Sequence, residues 1–173
     1  MNKNFTTLPD QRLRQTSDEI IAFDKSVADL IRDLIEVSQI QTDPQALGMA
    51  AVQIGVLKRV FVGRIRNKFK PFVNARIIKA SKKQAPLLEG CFSVKGIYGQ
   101  VMRPAEVTIE AQDKNGKKMI KSYKGLAAKI VQHEIDHQNG ILFVDHVHNQ
   151  NGKLFRVEKD KEGKEQLVEI SVT

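Results

Sequence analysis

The hexapeptide Gln132-His133-Glu134-Ile135-Asp136-His137 sets two histidines four residues apart around a glutamate, and it constrains the chain more than any other stretch. On an α-helix, positions four apart lie on one face about 6 Å apart along the axis, so His133 and His137 can both offer imidazole nitrogens to one cation. Glu134 then stands beside that cation. The flanking residues support a helix: Gly125 to Asn139 reads GLAAKIVQHEIDHQN, with Leu126, Ile130, His133 and His137 near one face and Asn139-Gly140 as a C-terminal stop. The bland alternative is a core helix whose two histidines are merely hydrogen-bonded.

A third ligand has one sulfur candidate. Cys91 is the single cysteine and sits next to Gly90 in Leu87-Leu-Glu-Gly-Cys-Phe-Ser93. An isolated thiol is ordinarily a small buried hydrophobe. With two histidines at ligand spacing downstream, it would instead complete a Cys-His-His set with a fourth position open for water, as in hydrolytic metal sites. One cysteine cannot form an internal disulfide, so nothing requires an oxidising compartment.

At 173 residues and 41% apolar content, a single domain over 1–173 with a sizeable core is expected. The opening MNKNFTTLPDQ lacks the apolar segment of a secretion signal, and no run is long enough to cross a bilayer, so a soluble protein without a membrane partner is expected. The net charge of +8 implies long-range attraction to polyanions. Its basic residues are scattered, with small clusters at Lys58-Arg59, Arg64 to Lys70 and Lys117 to Lys121, and no nucleic-acid motif accompanies them. Sequence-specific nucleic-acid binding is not expected.

In chain order, residues 24–41 place Val27, Leu30, Ile31, Leu34, Ile35 and Val37 at helical spacing, with Ser26 as the expected cap and Thr42-Asp43-Pro44 as the stop. The small-residue segment 46–55, ALGMAAVQIG, reads either as a tight turn or as a loop lining a site with Gln53 pointing in, the turn being the simpler reading. Strands are expected over 58–65 and 72–78, and a hairpin of 107–111 with 118–123 around Asn115-Gly116. A short strand is expected over 141–145, and a second hairpin of 153–159 with 166–172 around a charged turn ending at Gly163. His146 and His148 alternate as on a strand face and read as solvated or structural. Glu89 and Arg103 carry opposite charge near Cys91 and are candidates to pair, separate solvation being the default. Asp136 falls on a different helix face from Glu134 and reads as a structural partner.

Taken together, Gly48-Met-Ala-Ala-Val-Gln53, Glu89-Gly-Cys-Phe-Ser93 and Gln132-His-Glu-Ile-Asp-His137 resemble the three motifs of the peptide deformylase family, in the family's order and at similar intervals. The resemblance runs from Leu8-Pro9-Asp10 and Leu13-Arg14 through Ser93-Val94, Gly96 and Arg103-Pro104, and ends near Asp145. It implies an α+β fold in which mixed or antiparallel sheets pack around a central helix carrying the His-Glu-x-x-His motif. The implied activity is removal of the formyl group from the N-terminal methionine of newly made polypeptides.

The resemblance also assigns roles. Cys91, His133 and His137 would bind one divalent metal per chain, ferrous iron by preference, with zinc, nickel or cobalt as substitutes. Glu134 would move protons, and Gln53 with the backbone amide of Phe92 would stabilise the oxyanion. Gly48 would lie beside the substrate backbone, and Leu126 and Ile130 around the methionine side chain, though a helix core accounts for those two equally well. Formylated nascent chains are the implied partners, with transient ribosome contact through the basic surface, in a bacterial-type cytoplasm or an organelle.

The chain departs from the family pattern at Ala46, Met49, Ala75, Phe92 and Lys95, and none of these departures removes a ligand, the acid-base residue or the oxyanion amide. Its hairpin-like C-terminus also differs from members that end in a long helix. Two other readings compete. One is a different metallopeptidase or amidase sharing the His-Glu-x-x-His pattern, against which Cys91 argues. The other is a degenerate deformylase-like protein that binds ribosomal RNA, against which the intact ligand and acid-base residues argue.

Overall fold

Residues 5–42 and 44–170 are described by the computed structural model. Helix α1 (Lys25–Ile40) forms where the apolar spacing predicts, with Val27, Ile31, Leu34 and Val37 buried along one face. Asp24, not Ser26, caps it: the Asp24 carboxylate accepts from the Ser26 amide at 2.8 Å and from the Ser26 hydroxyl at 2.6 Å. A carboxylate at that position also faces the positive end of the helix dipole. Of the expected stop, Asp43 lies outside the described residues.

The strands follow as β1 (Gly48–Ala50), β2 (Val60–Ile65), β3 (Lys68–Ala80), β4 (Gln84–Cys91), β5 (Val94–Pro104), β6 (Glu106–Gln112) and β7 (Lys118–Lys124). Then come α2 (Gly125–Gln138), α3 (Phe143–Asn149), β8 (Leu154–Lys159) and β9 (Glu165–Ile170). One sheet has the order β1-β2-β3-β6-β7 and the other β4-β5-β8-β9, and every pairing within them is antiparallel. Among the described residues no helix is long and apolar enough to cross a membrane.

Alternation along β2 explains why the first sheet sits between two helices. Val60 and Val62 pack with Val27, Ile31 and Leu34 of α1. Phe61 and Ile65 point the other way and pack with Val131 and Ile135 of α2, where Phe61 stacks on Phe72 at 4.7 Å. With both faces covered, β2 reads as a near-continuous apolar run. Gly63 lies against α2: a Cβ there would stand 3.3 Å from the Ile130 side chain, so its absence leaves the helix room to settle on the strand.

Three expectations change. Residues 141–145 are not a strand; Leu142 is extended and Phe143 begins α3, with Asp145 accepting from the Leu142 amide at 2.8 Å. A short apolar run cannot tell a strand from the start of a buried helix. His146 and His148 are therefore on a helix, and His146 is structural. Strand β5 went unforeseen because Gly96 and Gly99 weaken its pattern; Gly99 is there for packing, since a Cβ would sit 2.5 Å from the Val147 side chain of α3. At Asn115-Gly116 only Gly116 has positive φ, and Asp113 closes the turn by accepting from the amides of Asn115 and Lys117. Asp160 and Gly163 build the same turn between β8 and β9, so the C-terminal hairpin forms as expected, its residues 171 and 172 lying outside the described range.

The stop of α2 is likewise the one expected. Gly140 has φ +72°, and the Ile141 amide donates back to the Asp136 carbonyl at 3.0 Å. A Cβ on Gly140 would also lie 2.5 Å from the Arg14 carbonyl oxygen. Gly140→Ala is therefore expected to lower the unfolding free energy by about 2 kcal/mol or more, read as a lower urea midpoint at unchanged m-value.

Candidate metal centre

Helix α2 presents His133 and His137 one turn apart, their rings edge to face with centroids 4.9 Å apart. The third member arrives from the other sheet. Cys91 ends β4 at a register shift against β5, which turns its side chain toward the helix and sets its Sγ 3.2 Å from His137 Nε2. One ligand atom from each of Cys91, His133 and His137 lies within 4.8 Å of the others. In a tetrahedral site with a sulfur at about 2.3 Å and a nitrogen at about 2.0 Å, those donors stand roughly 3.5 Å apart, so the set fits one transition-metal ion.

Second contacts fix how each ring is turned. His133 Nδ1 meets Glu89 Oε2 at 2.8 Å, which leaves Nε2 free to face the sulfur. Glu89 in turn takes two hydrogen bonds from Arg103, at 2.5 and 2.9 Å, with both residues at least 96% buried. The pairing anticipated from charge is thus a buried fork-to-fork bridge. Arg103 also donates to Asp136 at 2.7 Å, and His146 meets the same Asp136 oxygen at 2.8 Å. Asp136 is a structural partner, as expected from its helix face. His137 Nδ1 is buried without a hydrogen-bond partner among the described residues.

The electrostatics follow from these contacts. Burial pushes the Cys91 thiol up, but the His137 charge and the hydrogen bonds from both histidines outweigh it and hold the thiol well below its usual range. Burial also works against the Glu89 carboxylate, yet Arg103 and His133 hold its pKa down to about 2. Glu134 goes the other way. Burial dominates there and raises its pKa to about 7, the neighbouring histidines only moderating the rise.

Gln53 resolves the ambiguity of the 46–55 segment in favour of the site loop. It sits in the 3-10 turn Ala51–Ile54, its Oε1 accepts from the Ala50 amide at 2.9 Å, and its Nε2 lies 3.3 Å from Cys91 Sγ. Gly48 lies against Glu134: a Cβ would come within 2.4 Å of Glu134 Oε1, so only glycine leaves that carboxylate its place. Phe92 stacks on Phe5 with ring centroids 5.1 Å apart. Ile130 is buried and Leu126 is 51% exposed, and both line a cleft of about 490 Å³ that also holds Gln53, Cys91, His133 and Glu134.

Ser93 had no role in the sequence, yet its amide donates to Cys91 Sγ at 3.4 Å and its hydroxyl lies 3.4 Å from Gln53 Nε2. Its position two residues after the cysteine is the signal that would have found it. Tyr98 and Val157 of the same cleft carry no such signal, because only sheet pairing brings them there.

Residues 2–153 match the family model described as polypeptide deformylase. The chain is 36% identical to a peptide deformylase of Rhizobium meliloti over 150 residues, 84% of each chain, and 36% identical to one of Thermomicrobium roseum over 169 residues, 92% of this chain and 94% of that one. Among solved structures it superposes on a peptide deformylase from Legionella pneumophila with TM-score 0.76 at 38% identity, covering 83% of this chain and 85% of that one. For an Arabidopsis thaliana deformylase in complex with an inhibitor the TM-score is 0.78 at 35% identity, with coverage of 85% and 82%. The chain belongs to the polypeptide deformylase family, metal-dependent hydrolases that remove the N-formyl group from the N-terminal methionine of newly synthesised polypeptides.

Proposed function

We propose that Cys91, His133 and His137 hold one divalent metal ion and that Glu134, Gln53 and the Phe92 amide carry out deformylation beside it. The convergence of the three ligand atoms within 4.8 Å, next to a buried carboxylate, carries this reading. A divalent cation held by one thiolate and two imidazoles supplies the Lewis acidity that makes a water nucleophilic near neutral pH.

The chain's own groups do the rest. Glu134 takes a proton from the attacking water and returns it to the leaving amine, and burial sets its pKa where both transfers are feasible near neutrality. Gln53 Nε2, anchored through its own Oε1 on the Ala50 amide, donates to the formyl oxygen as negative charge builds there. The Phe92 amide is the second donor. Gly48 lies alongside the substrate backbone, while Ile130 at the cleft floor and Leu126 at its mouth take the methionine side chain. Formyl is the smallest acyl group, so a narrow site admits it and leaves ordinary peptide bonds outside.

Ferrous iron is the native metal in this reading, with zinc, nickel and cobalt as working or inactive substitutes, since a thiolate-imidazole set does not itself select among them. The nascent chains it acts on place it in a bacterial-type cytoplasm or an organelle with such ribosomes, where its net charge of +8 favours transient contact with ribosomal RNA.

Each of these roles carries an expected outcome. Anaerobically prepared protein assayed on formyl-Met-Ala, with metal analysis of the same sample, shows about one iron per chain and activity that decays in air; oxygen-stable activity from metal-free protein would sink the metal reading. Cys91→Ala loses metal and activity together, whereas Glu134→Gln keeps the metal and loses about 10²–10⁴ in kcat. Gln53→Ala lowers kcat by about 10²–10³ with a smaller change in KM. Arg103→Ala takes the guanidinium away from buried Glu89 and half-buried Asp136 and costs about 3–5 kcal/mol in urea unfolding, while Glu89→Gln weakens metal binding by about 10–100-fold in a chelator competition.

A further inference from the structure

The catalytic cleft does not end at the metal centre. It continues along β5 past Gly96, Ile97 and Tyr98 to Val157 and Glu165 of the β8–β9 hairpin. That hairpin lies beyond the matched family region, which stops at residue 153. It reaches the cleft by pairing on β5, with Ile97 opposite Arg156 and Tyr98 opposite Phe155. One step further in the same register brings Gly96 level with Val157.

Gly96 leaves a gap at that point. It has φ +71°, and a Cβ built on it would meet nothing within 4 Å. Gly96 itself is exposed; Val157, on the same sheet face in that register, is half-buried, and Glu165 is exposed, both lining the cleft. A side chain can enter here without displacing protein atoms.

The distance to the chemistry fits a peptide. Gly90, next to Cys91, lies opposite Tyr98, and Tyr98 lies opposite Phe155, so two strand spacings separate Gly90 from β8. At about 4.8 Å per spacing and about 3.4 Å per residue along β8, Val157 is roughly 12 Å from Gly90. An extended peptide covers about 3.3 Å per residue, so its fourth or fifth residue arrives at Val157 when its first is at the metal centre.

We propose that the C-terminal hairpin is the outer wall of the peptide groove, and that Val157 with the open space over Gly96 takes the side chain of the fourth or fifth residue of the formylated chain, preferring an apolar one. This rests on the deformylase reading of the cleft. It makes the hairpin a specificity element for the sequence downstream of methionine. The methionine is read by the helix α2 side, and the fourth or fifth residue by a wall that the three family motifs do not encode.

The test compares full-length, iron-loaded protein on formyl-Met-Ala, formyl-Met-Ala-Ala-Leu-Leu and formyl-Met-Ala-Ala-Ser-Ser, read as ratios of kcat/KM within each variant. The Leu-Leu substrate is expected to exceed the Ser-Ser one by about tenfold, mainly through KM. In Val157→Asp, and less severely in the near-isosteric Val157→Thr, that ratio falls toward one. A second readout needs no turnover: the unformylated peptide Met-Ala-Ala-Leu-Leu, titrated into isotope-labelled zinc-loaded protein, is expected to shift the amide resonances of Gly96, Ile97, Val157 and Glu165. Equal Leu-Leu and Ser-Ser ratios in the wild type, a ratio unchanged in both Val157 variants, or shifts that spare the hairpin would each overturn the proposal. Failure of the wild type to deformylate formyl-Met-Ala, with hairpin shifts retained, would count against the deformylase reading and leave the groove standing.

Discussion

The bidentate bridge between Arg103 and Glu89 holds the molecule's two halves in one arrangement. Glu89 is on β4 and Arg103 on β5, both in the second sheet, while the groups they reach, His133 and Asp136, are on the helix that packs against the first. A buried ion pair of this kind gains little over an apolar contact of the same shape, because two charges must leave water. Its use here is directional. Each carboxylate oxygen and three guanidinium nitrogens have a partner, so β4, β5 and α2 fit together in one register, and that register brings a thiol at the end of β4 to two imidazoles on α2.

Close backbone approach is the second requirement, and it is met by omission of side chains. Gly48 leaves space for the Glu134 carboxylate, Gly63 faces Ile130 on α2, and Gly99 admits α3 onto β5. At each place a methyl group would collide with or crowd a side chain that matters to the site or to the packing beneath it. The same device, used at Gly96 without any neighbour to fill the gap, leaves the cleft open toward the C-terminal hairpin.

Much of the site was legible from residue type and spacing. The helix carrying His133 and His137, its Gly140 stop, the hairpin around Gly116 and the C-terminal hairpin all form as the pattern implied, because each depends on local periodicity or a local turn. Misreadings have equally local causes. Ile141 to Val144 is too short an apolar run to show its period, and β5 carries glycines whose purpose lies on another element. Gln53 was ambiguous because its segment of small residues gives no sign of which way a side chain points; its amide is aimed by the Ala50 backbone and by Cys91, from 38 residues away.

By itself, then, the amino-acid order determined which donors exist, which of them share a helix face, and that a thiolate-imidazole set was on offer, since these follow from chemistry and from a period of 3.6 residues. Only the tertiary structure decided that Cys91 meets those imidazoles, that Glu89 and Arg103 pair instead of being solvated apart, and that a C-terminal hairpin borders the cleft. Each of those facts depends on strand register and on which sheet a strand joins. Register is set by burial summed over many residues, and no single stretch of the chain contains it.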